Sequence, residues 1–174
     1  MLFYIIIILI LLIYFNRNYN VDNNKSDAKK AYKILLKIRE NYKKLIKYCN
    51  KKANTLEELK YKNYIDIIEH KIDNVEIQEN TNIKNGTSFS INKGEIIYIC
   101  LRNKNGNLHD MNKIMYVAIH ELSHIGCPEK NHTQLFYKIN KYLLKKSIEC
   151  GIYNYEDYRN DEYCGIQLNE NILN

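Results

Sequence analysis

The segment His120-Glu121-Leu122-Ser123-His124 constrains this chain more than any other. Two histidines four residues apart stack on one face of an α-helix, so their imidazoles can share one metal ion. Glu121, about a third of a turn round the helix, reaches water beside that ion without ligating it. The flanks are helical in pattern, with Ile114, Ala118, Ile119, Leu122 and Ile125 around the motif. Asp110 is a good N-cap, and Gly126-Cys127-Pro128 ends the run with the chain's single proline. The expectation is a helix from Met111 to about Ile125 carrying an H-E-x-x-H arrangement. In that arrangement Glu takes a proton from water and returns it to a leaving amine. The plain alternative is a pair of solvent-facing histidines on an ordinary helix.

A catalytic zinc takes three protein ligands and keeps its fourth position open. The candidates to join His120 and His124 are Cys127, Glu129, His132 and Glu149. Cys127 follows the helix break and reads better as a small packing residue. Glu129 or Glu149 would give a His₂Glu site, with Glu149 on the last helix. His132 stands where the chain, having doubled back through a loop, enters that helix, and it ranks first, with Glu149 second.

The 174 residues suffice for one domain with a real core. With 45% hydrophobic and 26% charged residues, disorder of the whole chain is excluded. Five cysteines, Cys49, Cys100, Cys127, Cys150 and Cys164, are widely spaced and contain no C-x-x-C pair. They read as free thiols in a reducing compartment, not as a disulfide framework or zinc ribbon.

Leu2 to Phe15 is an unbroken apolar run. As a helix it spans only ~21 Å against a ~30 Å hydrocarbon core. No Lys or Arg precedes it and no small-residue exit follows, so an uncleaved short membrane anchor over residues 1–20 is expected rather than a cleaved signal. Arg17, Lys25, Lys29 and Lys30 follow the run, which would put the body, residues 21–174, on the cytosolic side of the membrane. Residues 25–52 carry eleven Lys/Arg against two acids. They show helical periodicity through Ala28, Ala31, Tyr32, Leu35, Ile38, Tyr42, Leu45 and Cys49, with Ser26 as N-cap. This basic helix suits contact with anionic lipid, or is simply a packed helix with a Lys-rich outer face. Nucleic acid is not the expected partner.

Thr55–Ile72 reads as a second helix with Leu56, Leu59, Tyr64, Ile67 and Ile68 inward, and Asp73–Lys84 as a loop. Thr87–Ile91 and Ile96–Arg102 read as strands joined by Asn92-Lys93-Gly94-Glu95. Thr133 to about Cys150 reads as the last helix, with Leu135, Phe136, Ile139, Leu143 and Ile148 inward. Tyr153, Tyr155, Tyr158 and Tyr163 follow; one could donate to an oxyanion, but core packing explains each more simply. His70 and His109 read as structural, and Glu156, Asp157, Arg159, Asp161 and Glu162 as a solvated turn.

His120-Glu-Leu-Ser-His124 followed by His132-Thr-Gln-Leu-Phe136 resembles the H-E-L-x-H … H-x-x-x-F pattern of WLM and SprT-like zinc metalloproteases. The whole string from His120 to Phe136 resembles the membrane-anchored predicted zinc metallopeptidases of nucleocytoplasmic large DNA viruses. The similarity reaches back to Ser90–Glu95 and Cys100-Leu101-Arg102 and forward to Tyr163-Cys164-Gly165-Ile166, covering roughly residues 85–166. It implies an α+β fold with a minimal zincin-like core, a small sheet packed beside the active-site helix. It also implies Zn²⁺ held by His120, His124 and His132, Glu121 as general base, a protein or peptide substrate, and an anchor placed in a virion or host-cell membrane. The competing expectation is a non-catalytic membrane or virion protein in which zinc only staples the fold.

Overall fold

Fifty-one consecutive residues form the first helix, α1 (Leu2–Lys52), in the computed structural model of the chain. Residues 2–82, 88–168 and 172–173 are described. The expected start of the first strand at Thr87 lies outside them, as does the end of the expected loop at Ile83 and Lys84. The chain divides into residues 1–34 and 35–174, with the boundary inside α1.

In residues 1–34 the expected membrane anchor is corrected. No helix among the described residues is long and apolar enough to cross a membrane. The apolar run is about one third shorter than a hydrocarbon core, and the helix goes on directly into Asn16, Arg17, Asn18 and Asn20. Any window long enough to span therefore takes in strongly polar side chains. The cytosolic orientation inferred from that anchor, and its placement in a virion or host-cell membrane, fall with it. The expected cap at Ser26 is absent too, because α1 passes through it unbroken.

In residues 35–174 the rest of α1 buries Ile38, Tyr42, Leu45, Ile46 and Cys49. The Tyr42 hydroxyl donates to the carbonyl of Ala118 at 2.5 Å, tying α1 to the motif helix. The expected second helix is two: α2 (Leu56–Leu59) and α3 (Lys62–Ile72). Thr55 and Glu58 form a reciprocal capping box that starts α2. Its leucines face out, Leu56 at 83% exposure, and the buried face belongs instead to Ile65, Ile68 and Ile72 of α3.

The expected loop after α3 holds β1 (Glu76–Glu79), which pairs parallel with β3 (Ile96–Ile99). β2 (Phe89–Ile91) pairs antiparallel with β3, giving the order β1-β3-β2. β1 is legible only by its partner, since its residues are mostly polar and it lies at an edge, where exposed polar side chains discourage further pairing. The β2–β3 turn takes positive φ at Asn92, Lys93 and Gly94, as a tight hairpin requires.

Helix α4 (Met111–Gly126) carries the motif and touches α3, β2, β3 and α5 (Gln134–Glu149). Asp110 caps α4 by accepting from the backbone N–H groups of Asn112 and Lys113, and Thr133 caps α5 through Phe136 N–H. Both boundaries match the sequence pattern; Ile148, expected inward, is exposed. Beyond α5, Tyr153, Tyr158 and Tyr163 are buried and a small hairpin forms from β4 (Glu162–Tyr163) and β5 (Ile166–Gln167). The architecture is α+β.

The expectation of free thiols is corrected at one pair. Cys100, just after β3, is disulfide-bonded to Cys164 in the β4–β5 turn, while Cys49, Cys127 and Cys150 are free. Sequence spacing hides the pair because the two lie 64 positions apart, with both α4 and α5 between them.

Candidate metal centre

The structure brings His120, His124 and His132 together. His120 and His124 project from the same face of α4, and His132 reaches them from the loop just before the Thr133 cap of α5. His132 Nε2 lies 2.9 Å from His120 Nε2 and 3.2 Å from His124 Nε2. Three imidazole nitrogens around a tetrahedral Zn²⁺ at ~2.05 Å stand ~3.3 Å apart, so these two separations are close to what the ion needs. Among the described residues these three form the one cluster of His, Cys, Asp or Glu that could hold a metal ion.

Phe136 is the floor of the cluster. Its ring centroid is 4.2 Å from that of His124, 4.9 Å from His120 and 4.8 Å from His132. Because Phe136 is fully buried and His132 precedes it by one helical turn, the α5 cap and the aromatic floor set the third histidine together.

Burial dominates the electrostatics. It pushes His120 down to about 3, helped by His124 and His132, and His124 down to about 4, helped by His132. Both rings are thus neutral at physiological pH and offer a lone pair, which is the state a metal requires. Burial also pushes the Glu121 carboxyl up to about 8. Glu121 is 4% exposed, and its buried Oε2 has no hydrogen-bond partner among the described residues. An unpartnered carboxylate oxygen in such a place is costly unless something polar enters beside it.

The motif lies in a cleft of about 860 Å³. Phe89 and Ser90 of β2, Tyr116 and Val117 of α4, and Tyr163 and Ile166 of the last hairpin line it. Glu129 also lines the cleft but is not in the histidine cluster. Cys127 is buried and donates its backbone N–H to the carbonyl of Ser123 as the C-cap of α4. Glu149 lies elsewhere, accepting from Lys146 Nζ and the Tyr48 hydroxyl. His109 stacks on Tyr163, with ring centroids 4.7 Å apart.

Sequence reasoning passed over two buried polar residues here, Ser123 and Asn140. Asn140 was the detectable one. It sits four residues after Phe136 in the inward stripe of α5, where only apolar residues are expected.

A family model described as the WLM domain matches residues 14–171. A protein of Acanthamoeba polyphaga mimivirus, described as uncharacterized, is 40% identical over 161 residues, which are 91% of this chain and 80% of that protein. An uncharacterized protein of Invertebrate iridescent virus 6 is 39% identical over 70 residues, 38% of this chain and 39% of that protein. One of Invertebrate iridescent virus 3 is 33% identical over 85 residues, 48% and 53% respectively. No solved structure matches the chain.

Proposed function

The chain belongs to the WLM-domain family, and from that premise we propose that it is a zinc-dependent peptidase in which Glu121 is the general base. The observation that carries this reading is the convergence of three imidazoles, two of them held neutral by burial, beside a buried carboxyl with a vacant hydrogen-bonding oxygen. The donor set fits zinc, since three histidines leave one tetrahedral position for chemistry. A purely structural zinc takes four protein ligands, and Cys127, the nearest thiol in sequence, is not in the histidine cluster.

Zinc held by His120, His124 and His132 would supply the Lewis acid that polarises a scissile carbonyl and makes water nucleophilic at neutral pH. Glu121 takes the proton from the attacking water and delivers it to the leaving nitrogen. In the metal-free chain burial raises its proton affinity, and a cation held by the three histidines would favour the carboxylate form that accepts a proton. β2 has β3 on one side, and its cleft side carries Phe89 and Ser90. An extended peptide can add there as a further strand, its backbone paired and its side chains alternating into the cleft. The small sheet beside a motif-bearing helix supports a minimal zincin-like reading of the fold.

The test is Glu121→Gln in the zinc-loaded chain, read by digestion of a peptide library. The amide is nearly isosteric but cannot take a proton, so zinc stoichiometry should be unchanged and hydrolysis should fall ~10²–10⁴-fold. A variant keeping more than about a tenth of the activity removes Glu121 from this role. Stoichiometric zinc with no cleavage by the parent chain removes the peptidase reading.

A further inference from the structure

Three side-chain contacts, two of them buried, run from the Nδ1 side of His120, away from the Nε2 that faces His132. Ser123 Oγ donates to the carbonyl of Ile119 at 2.8 Å. In the recorded orientation of the Asn140 amide, the same Oγ is 3.3 Å from Oδ1, and Nδ2 is 3.4 Å from His120 Nδ1. Ser123 and Asn140 are both fully buried, so no water competes for these groups.

Proton counting selects one arrangement. The single hydroxyl hydrogen of Ser123 is committed to Ile119, so Oγ is left as an acceptor toward Asn140. The amide must then present its NH₂ to Ser123 and its oxygen to His120. Amide oxygen and nitrogen have nearly the same shape, and the hydrogen-bond network decides which is which. With the oxygen facing the ring, His120 Nδ1 must carry the proton and donate it. The chain then runs without conflict from His120 Nδ1–H to Asn140, from Asn140 N–H to Ser123, and from Ser123 O–H to Ile119. The opposite orientation needs the Ser123 hydroxyl to leave its shorter contact with Ile119 for Asn140 Oδ1, and it makes the amide N–H donate to Nδ1, which puts the ring proton on Nε2 where the cluster needs a lone pair.

We infer that Asn140 is a positioning residue for His120: its amide oxygen accepts from Nδ1–H, which fixes the tautomer and leaves Nε2 unprotonated on the face shared with His124 and His132. Ser123 anchors Asn140 in turn, which gives the fourth residue of the motif a role. An outer partner of this kind holds a ligating imidazole in orientation and raises its basicity. The inference rests on the reading of His120 as a metal ligand through Nε2, but its first readout does not need the metal.

That readout is the tautomer of His120 in the metal-free chain, from long-range ¹H–¹⁵N correlations of the imidazole at neutral pH. The expected form is Nδ1–H. Asn140→Asp, which keeps an acceptor oxygen, should preserve it, whereas Asn140→Leu, which removes both polar atoms, should lose it. Competition with a chromophoric chelator should then show zinc bound ~10–100-fold more weakly by Asn140→Leu and near the parent value by Asn140→Asp. An Nε2–H tautomer in the unsubstituted chain overturns the inference without any variant having to fold. So does a folded Asn140→Leu protein with parent tautomer and parent affinity. If the chain binds no zinc yet His120 is held as Nδ1–H in an Asn140-dependent way, the metal reading fails and the positioning role stands.

Discussion

Cys164 is bonded to Cys100, and the adjacent Tyr163 hydroxyl donates to the Cys100 carbonyl. Together these links fasten the β4–β5 hairpin to the end of β3. Tyr163 and Ile166 are thereby held in place along the cleft that His120 and Glu121 also line. A cross-link closing a loop of this size contributes about 2–4 kcal/mol, mainly by restricting the unfolded chain. Replacing both cysteines by serine is expected to lower Tm by roughly 5–15 °C. Calorimetry with and without reductant checks it, because the parent should shift on reduction and the double variant should not. Identical melting of the parent in both conditions would show that the bond contributes nothing.

The third ligand can be tested residue by residue. His132→Ala should weaken zinc binding by more than about 100-fold, beyond what the loss of an outer partner costs. Glu149→Gln should bind like the parent, because Glu149 is engaged with Lys146 and Tyr48 far along α5. Cys127→Ser should also bind like the parent, since the cap is made by its backbone N–H. Titration of all three against a competing chelator decides the set. Parent-like binding by His132→Ala would show that the ligand assignment is wrong.

What could be read from sequence was local. The caps at Asp110 and Thr133, the break at Gly126-Cys127-Pro128 and the i, i+4 histidines are encoded within a few residues, and all of them reappear at those positions. What could not be read depends on partners distant in sequence. β1 becomes a strand only because β3 lies alongside it, and Cys100 meets Cys164 only after α4 and α5 have turned the chain back. The apolar run at Leu2–Phe15 misled for a different reason. Composition marked it as a membrane segment, while its length and the continuation of α1 into Asn16 and Arg17 argue otherwise.

Gly94 joins the sheet to the motif helix. Its φ is +100°, and a Cβ there would stand 2.7 Å from Ile125 Cδ1 on α4. Gly106, with φ +80°, has nothing within 4 Å of the same position. Alanine at Gly106 therefore reports backbone strain alone, about 1–2 kcal/mol. Alanine at Gly94 should cost a further ~1–3 kcal/mol because the core around Ile125 is already filled. Urea unfolding of the two variants measures the difference, and equal losses would mean that Ile125 moves aside freely.

The last prediction concerns pH. In the metal-free chain burial raises Glu121 from 4.5 to about 8, so the native state holds this proton more tightly than the unfolded state does. Its stabilising contribution is complete below about 4.5 and is lost as pH rises to about 8, with a slope approaching about 1.4 kcal/mol per pH unit. His120 and His124 act in the opposite sense: their lowered values penalise the native state below 6.5, and they do so equally in a Glu121→Gln variant. Subtracting the unfolding free energy of Glu121→Gln from that of the parent, both with chelator present, therefore isolates Glu121. The difference should fall steadily between pH 5 and 8 and level off above that range. Adding zinc should flatten it, because a nearby cation favours the charged carboxylate and offsets the cost of burying it. A difference already flat between pH 5 and 8 in chelated protein would show that Glu121 is ionised throughout, and that burial does not set its proton affinity.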